Sequence, residues 1–171
     1  PATYSMLVEL LRKNDCNNVL PLQSLILDTQ RNERFNISEI GGLGVESSVV
    51  NSGFAGKVVL LPATTIDAVC SQDIKPDYIK IDAEGAENLI VSGAEKIIAG
   101  CRPILQIEVH GQYTGKDGVS KLFTHMEGLD YSIVNIATWE KITLEDYFAC
   151  THCHANNPVT GEDLAYKLYG Q

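Results

Sequence analysis

Residues 76–110 constrain the chain most, because they read as one complete strand, turn, helix and strand. Tyr78, Ile79 and Ile81 form a short aromatic and β-branched run behind Pro76-Asp77, the pattern of a buried strand. The run stops at Asp82-Ala83-Glu84-Gly85, two carboxylates beside a glycine. Leu89, Ile90, Gly93, Ala94, Ile97 and Ile98 then recur at spacings of three and four, which predicts a helix with one apolar face. Gly100 stands where a helix C-cap would. Pro103 opens a second apolar run, Ile104-Leu105-Gln106-Ile107, which ends in Glu108-Val109-His110. Two strands joined by a crossover helix run parallel, and ligands of an open parallel sheet bind at the C-terminal strand edge. Asp82, Glu84, Glu108 and His110 all fall at that edge.

Each of these residues carries more than one reading. Asp82 and Glu84 have the charge to position a polar substrate, hold a cationic group or bind a divalent cation, and Glu84 is equally placed to cap the exposed amides of the following helix. Glu87 reads as an ordinary acid in the first helical turn. Glu108 and His110 are two apart on a strand and so share a face. A histidine there has the pKa range of a general base.

Composition narrows the class. A chain of 171 residues, 44% hydrophobic, fits one domain with a real core. Its net charge of −9 argues against a nucleic-acid binder and against a polybasic membrane anchor. No apolar run approaches the ~20 residues that span a bilayer. The first helix carries Glu9, Arg12 and Lys13 among its leucines, unlike a secretory leader. Five cysteines, an odd number mostly inside apolar runs, suit reduced thiols and a cytoplasmic location.

Elsewhere the pattern predicts a helix over residues 3–14 with Met6, Leu7, Leu10 and Leu11 as its apolar stripe, ended by Asn14-Asp15. A strand is expected over 19–28, a polar turn over 29–34, a short strand at 35–37 and another over 57–61. Gly41-Gly42-Leu43-Gly44 lacks the preceding buried strand and following helix of a phosphate loop, so it reads as a surface hairpin link to a return strand at 47–51. A helix is expected over 118–128, strands over 131–137 and 146–152 with Trp139-Glu140-Lys141 between them, and a last helix over 162–169. Cys150-Thr151-His152-Cys153-His154 fits the C-x-x-C-H pattern of haem attachment and is rich in zinc-ligand types. It lacks a second cysteine pair at finger spacing. On a strand, Cys150, His152 and His154 would share one face. A metal- or haem-binding module centred there is thus one reading, and a non-catalytic α/β remnant is another.

The motif I-K-I-D-A-E-G-A-E, the Gly93-Ala94 pair and R-P-I-L-Q-I-E-V-H together resemble the core of the FkbM family of S-adenosylmethionine-dependent methyltransferases. Asp82, Glu84, Gly85, Glu87, Gly93, Ala94, Glu108 and His110 all match the family pattern in order and spacing. Residues 65–69 are similar to the short helix that precedes the core strand in that family. The resemblance implies a Rossmann-like class I methyltransferase fold, an α/β three-layer sandwich with a mostly parallel sheet. It implies methyl transfer from S-adenosylmethionine to a hydroxyl oxygen of a small metabolite or sugar. It begins just past the family's second strand. Residues 1–171 therefore read as a single methyltransferase domain truncated at its N-terminus, without the glycine turn and ribose-binding acid of the cofactor site. On the same resemblance, Asp82, Glu84 and His110 are the catalytic candidates, and Gln23, Ser24 and Asp82 are the cofactor contacts. Glu108, His152, His154 and Asn156 line the acceptor pocket. No metal is expected. Strands without a central neighbour would leave an open sheet edge and favour self-association.

Overall fold

The computed structural model describes residues 2–38, 56–70, 74–154 and 167–170. Helix α1 (Ala2–Lys13) forms as expected, and the Asn14 amide ends it by donating to the Leu10 carbonyl at 2.7 Å. Its stripe of Met6, Leu7 and Leu10 stays exposed rather than joining the core.

The strand expected over 19–28 shrinks to β1 (Leu25–Ile26), with Leu20 and Leu22 exposed. Pro21 lacks the N–H that a ladder requires, and β1 meets its parallel partner only at Ala63 and Thr64. The polar turn expected over 29–34 is also corrected. Strand β2 (Arg31–Ser38) pairs antiparallel with β3 (Gly56–Thr64) from Arg31 opposite Ala63 to Ser38 opposite Gly56. Arg31 and Glu33 are two apart, so they share a face, and the guanidinium Nε donates to the Glu33 carboxylate at 2.7 Å. That pairing lets charged residues occupy a strand. The readings of residues 41–44 and 47–51 lie outside the described residues.

Thr65 caps α2 (Ile66–Val69), its hydroxyl accepting from the Ala68 amide at 3.0 Å. The central unit follows as β4 (Tyr78–Ile81), α3 (Glu87–Ser92), α4 (Glu95–Cys101) and β5 (Ile104–Glu108). The single crossover helix is two short ones, broken at Gly93-Ala94. The expected Gly100 cap is corrected: Gly100 lies inside α4, and the left-handed C-cap is Arg102 at φ 52° and ψ 50°. Contacts made by Arg102 hold it in that conformation. Its guanidinium donates to the carbonyls of Leu129 and Asp130 and lies 4.2 Å from the Tyr131 ring centre.

Helix α5 (Gly111–Gly128) starts earlier than expected and kinks at Gly115. Strand β6 is confined to Val134–Asn135. The strand expected over 146–152 is instead helix α6 (Leu144–His154). Its start is a reciprocal cap: the Asp146 carboxylate accepts from the Thr143 amide at 2.8 Å, and the Thr143 hydroxyl accepts from the Asp146 amide at 3.2 Å. The helix expected over 162–169 is corrected over its last residues, because β7 (Lys167–Gly170) is a strand, and residues 162–166 lie outside the described residues.

The strands form two sheets, ordered β1-β3-β2 and β4-β5-β7-β6. Pairs β1·β3 and β4·β5 are parallel, whereas β2·β3, β5·β7 and β6·β7 are antiparallel, so the described residues do not form one mostly parallel sheet. Among the described residues β4 pairs with β5 alone and β1 with β3 alone. One buried cluster joins the two sheets, from Leu27 and Ala63 through Ile81, Ile90 and Ile98 to Leu105, Ile107 and Phe123. Among the described residues no helix is long and apolar enough to cross a membrane.

Candidate active site

The parallel register sets Ile81 beside Ile107, so the next residues along the two strands are Asp82, just past β4, and Glu108, the last residue of β5. Beyond Asp82 the chain turns through two left-handed residues, Glu84 at φ 49° and Gly85 at φ 99°. Only the second is glycine, so Glu84 needs its conformation held by the surroundings. Beyond Glu108, buried Val109 leads to His110, which sits over that turn.

His110 is 6% exposed and Glu87 2%. The imidazole Nδ1 donates to Glu87 Oε1 at 2.8 Å, and the same oxygen accepts from the Gly85 amide at 3.0 Å. Nε2 lies 3.6 Å from Glu84 Oε2 and 3.9 Å from Asp82 Oδ1. The other Asp82 oxygen takes the Lys80 ammonium at 2.7 Å. Tyr113 stacks along the imidazole with ring centres 6.0 Å apart.

Charge balance follows from these distances. Burial alone would push the His110 imidazole down, but the hydrogen bond to Glu87 and the charges of Glu87, Glu84 and Glu108 outweigh it and raise its pKa. Burial pushes the Glu84 carboxyl up, opposed by His110 and helped by Asp82 and Glu87. Burial acts in the same direction on Asp82, but its bond to Lys80 and the nearby positive charges hold that carboxyl below the usual range.

Asp82 and Glu84 also line a cavity of about 370 Å³, with Leu25, Ile26, Phe35 and Ile66 as its apolar wall and Ser24 and Lys80 among its polar groups. That volume falls within the ~300–1,000 Å³ of small-molecule sites. Of the residues expected in the site, Asp82, Glu84, Glu108 and His110 converge, and Ser24 faces the same cavity. Gln23 is exposed and outside the cavity lining. The shared strand face of Cys150, His152 and His154 is corrected, because their backbone is helical. The side chains of His152 and His154, and all of Asn156, lie outside the described residues. At the start of α3 the N-cap, Ala86, makes no side-chain cap, and the acid that binds the Gly85 amide is Glu87.

Of the cluster, Lys80 was not singled out in the sequence, and Glu87 was read only as an ordinary first-turn helix acid and a motif residue. Lys80 had a signal, since it is two before Asp82 and period two puts both on one side of the strand. Glu87 had its place in the motif, but its pairing with His110 had no local signal, because the partner is 23 residues away. One donor atom each from Asp82, Glu108 and His110 lie within 4.8 Å of one another. Lys80 already supplies a cation to Asp82, so we assign no metal there.

Residues 8–133 match the model of the Methyltransferase FkbM domain, a span that holds the whole cluster. The chain belongs to the FkbM methyltransferase family. The crystal structure of Methyltransferase FkbM from Methylobacillus flagellatus KT is similar in fold, with a TM-score of 0.51 at 19% identity over 75% of this chain. The alignment takes in 28% of that relative, so this FkbM domain spans little more than a quarter of its length. A search of curated proteins found no match. Helix α6 and strand β7 lie beyond the matched residues, as does the 150–154 cluster.

Proposed function

We propose that this FkbM domain serves methyl transfer from S-adenosylmethionine to a hydroxyl oxygen of a small metabolite or sugar. The observation that carries the reading is His110, buried and anchored through Nδ1, with Nε2 turned to the two carboxylates that line the cavity. The residues present suit the purine and the sulfonium end of the cofactor. The apolar wall of Leu25, Ile26, Phe35 and Ile66 fits a purine face, and Asp82 and Glu84 offer negative charge to a sulfonium or ammonium group. When bound, S-adenosylmethionine supplies the methyl group.

The chain's own residues do the rest. A neutral His110 accepts the acceptor hydroxyl's proton at Nε2, and the resulting imidazolium is steadied by Glu87 through Nδ1. Asp82 and Glu84 orient the hydroxyl beside it. Holding the reacting atoms in line supplies the larger share of the acceleration in such a site. Replacing Asp82 by Asn in the intact protein is expected to lower methyl transfer on the order of 10²-fold. The Asp82 side chain is 39% exposed and its ion pair with Lys80 is a surface one, so stability should change by under ~1 kcal/mol. Turnover of the variant at the wild-type rate would remove Asp82 from the site.

We also propose that these residues self-associate through the edges of β1 and β4 that have no strand neighbour among the described residues, and through the exposed apolar side chains of Met6, Leu10, Leu20 and Leu60. Sedimentation velocity over a concentration series is expected to show a rising average mass. A monomer throughout the series would refute it.

A further inference from the structure

We propose that Glu87 is the positioning residue of this site: it holds His110 with the proton on Nδ1, leaving Nε2 as the basic nitrogen, and it locks the turn that carries Asp82 and Glu84. The proposal rests on the methyl-transfer reading only for the role of His110 as base.

The argument starts from burial. A carboxylate that is 2% exposed is costly to keep unless its oxygens are satisfied. Oε1 of Glu87 is satisfied twice, accepting from His110 Nδ1 at 2.8 Å and from the Gly85 amide at 3.0 Å. A carboxylate can only accept, so the proton between the two side chains sits on Nδ1. In the neutral ring Nε2 is then the acceptor, which a base requires.

The second bond acts on the turn. Glu84 and Gly85 are both left-handed, and Glu84 pays the steric cost of that conformation. Glu87 ties the turn to the end of β5 through His110, so one side chain sets the spacing between Nε2 and the carboxylates of Asp82 and Glu84. An acid that served only the helix terminus would do so from an exposed position, with no histidine partner.

The groups facing His110 come from every element around it. Glu87 is on α3, Asp82 and Glu84 are on the turn, Glu108 is on β5 and Tyr113 is on α5. Lys80 acts through Asp82. Tyr147 of α6 approaches the preceding carbonyl, its hydroxyl donating to Val109 at 3.5 Å. Glu87 is distinguished among them by direct contact with the nitrogen opposite the reacting one.

The test is Glu87→Gln in the intact protein, because Gln keeps a carbonyl oxygen for both bonds while removing the charge, with an NH2 in place of the other oxygen. Nitrogen-15 NMR of labelled histidine is expected to show the His110 titration midpoint lower by about one pH unit or more in the variant. The rising limb of the methyl-transfer pH–rate profile should move down in parallel, with the acceptor KM little changed. An unchanged midpoint overturns the proposal. So does a neutral His110 in the wild type with its proton on Nε2, a measurement that requires no variant to fold. A lowered midpoint beside an unmoved rate profile overturns Glu87 as a positioning residue for the reaction while leaving methyl transfer intact. A wild-type protein that transfers no methyl group sinks the functional reading, and the NMR titration still decides whether Glu87 governs the ring.

Discussion

Gly93→Ala is expected to destabilise the fold by about 3 kcal/mol or more, at or beyond the upper end of the usual cost of overpacking. A Cβ at Gly93 would stand 2.0 Å from the Leu27 carbonyl oxygen and 3.1 Å from the Asp28 Cα. These are backbone atoms, so no side chain can rotate away. Neither side can retreat cheaply. Leu27 is fully buried and its amide donates to the Thr64 carbonyl at 2.8 Å. The Gly93 carbonyl accepts from the Asp67 amide at 3.0 Å. The expected fall in Tm is roughly 6–12 °C for a chain of this size. Gly100→Ala is the internal control, because its added Cβ meets nothing within 4 Å. In the last turn of α4 that change should be neutral or stabilise by up to ~0.5–1 kcal/mol, the mid-helix value. Equal stability of the Gly93 variant and the wild type in denaturant unfolding would show that the close approach to Leu27 is not maintained.

The same glycine shows what could be read from the sequence. The strands around residues 78–81 and 104–108, the acidic turn and the apolar helical face between them were all visible, because each rests on local pattern. The break at Gly93-Ala94 was not visible, since its cause is the chain following β1, more than sixty residues earlier. Strand β7 was misread as a helix because its role is to pair antiparallel with both β5 and β6, a contact that no local periodicity reports. Helix α6 was misread as a strand on its run of Tyr147, Phe148 and Cys150. Two signals favour the helix: the Thr143-x-x-Asp146 cap, which was present in the sequence, and the packing of Tyr147 against Phe123 with ring centres 5.6 Å apart, which was not. In the site, the four residues at the strand ends were legible because parallel strands deliver their C-terminal residues to one edge. The bond between Glu87 and His110 was not, because helix α3 had to be placed before its first residue could be seen to face inward.

The second large effect is expected at His110. His110→Ala should lower methyl transfer by ~10²–10⁴-fold near neutral pH, the usual worth of a positioned base. The wild-type rate should climb as pH rises through the imidazole's raised pKa, since only the neutral ring takes a proton. Stability should run the other way. In the unfolded chain the imidazole titrates in its ordinary range, while in the folded chain Glu87, Glu84 and Glu108 overcome burial and hold the proton more tightly. That contribution is fully present below the unfolded pKa and is lost as pH rises through the folded one. Over one span of pH, a single ring should therefore gain activity and lose stability. Alanine also strands the buried Glu87 carboxylate, at a cost of ~3–5 kcal/mol for an uncompensated charge. His110→Gln is the cleaner comparison, because its amide keeps a donor available to Glu87 and cannot act as a base near neutrality. Rates and urea unfolding measured together across pH separate the two roles. If His110→Gln keeps the wild-type pH–rate profile, another group is the base. If it keeps the wild-type slope of stability against pH, the charge that drives that slope resides elsewhere.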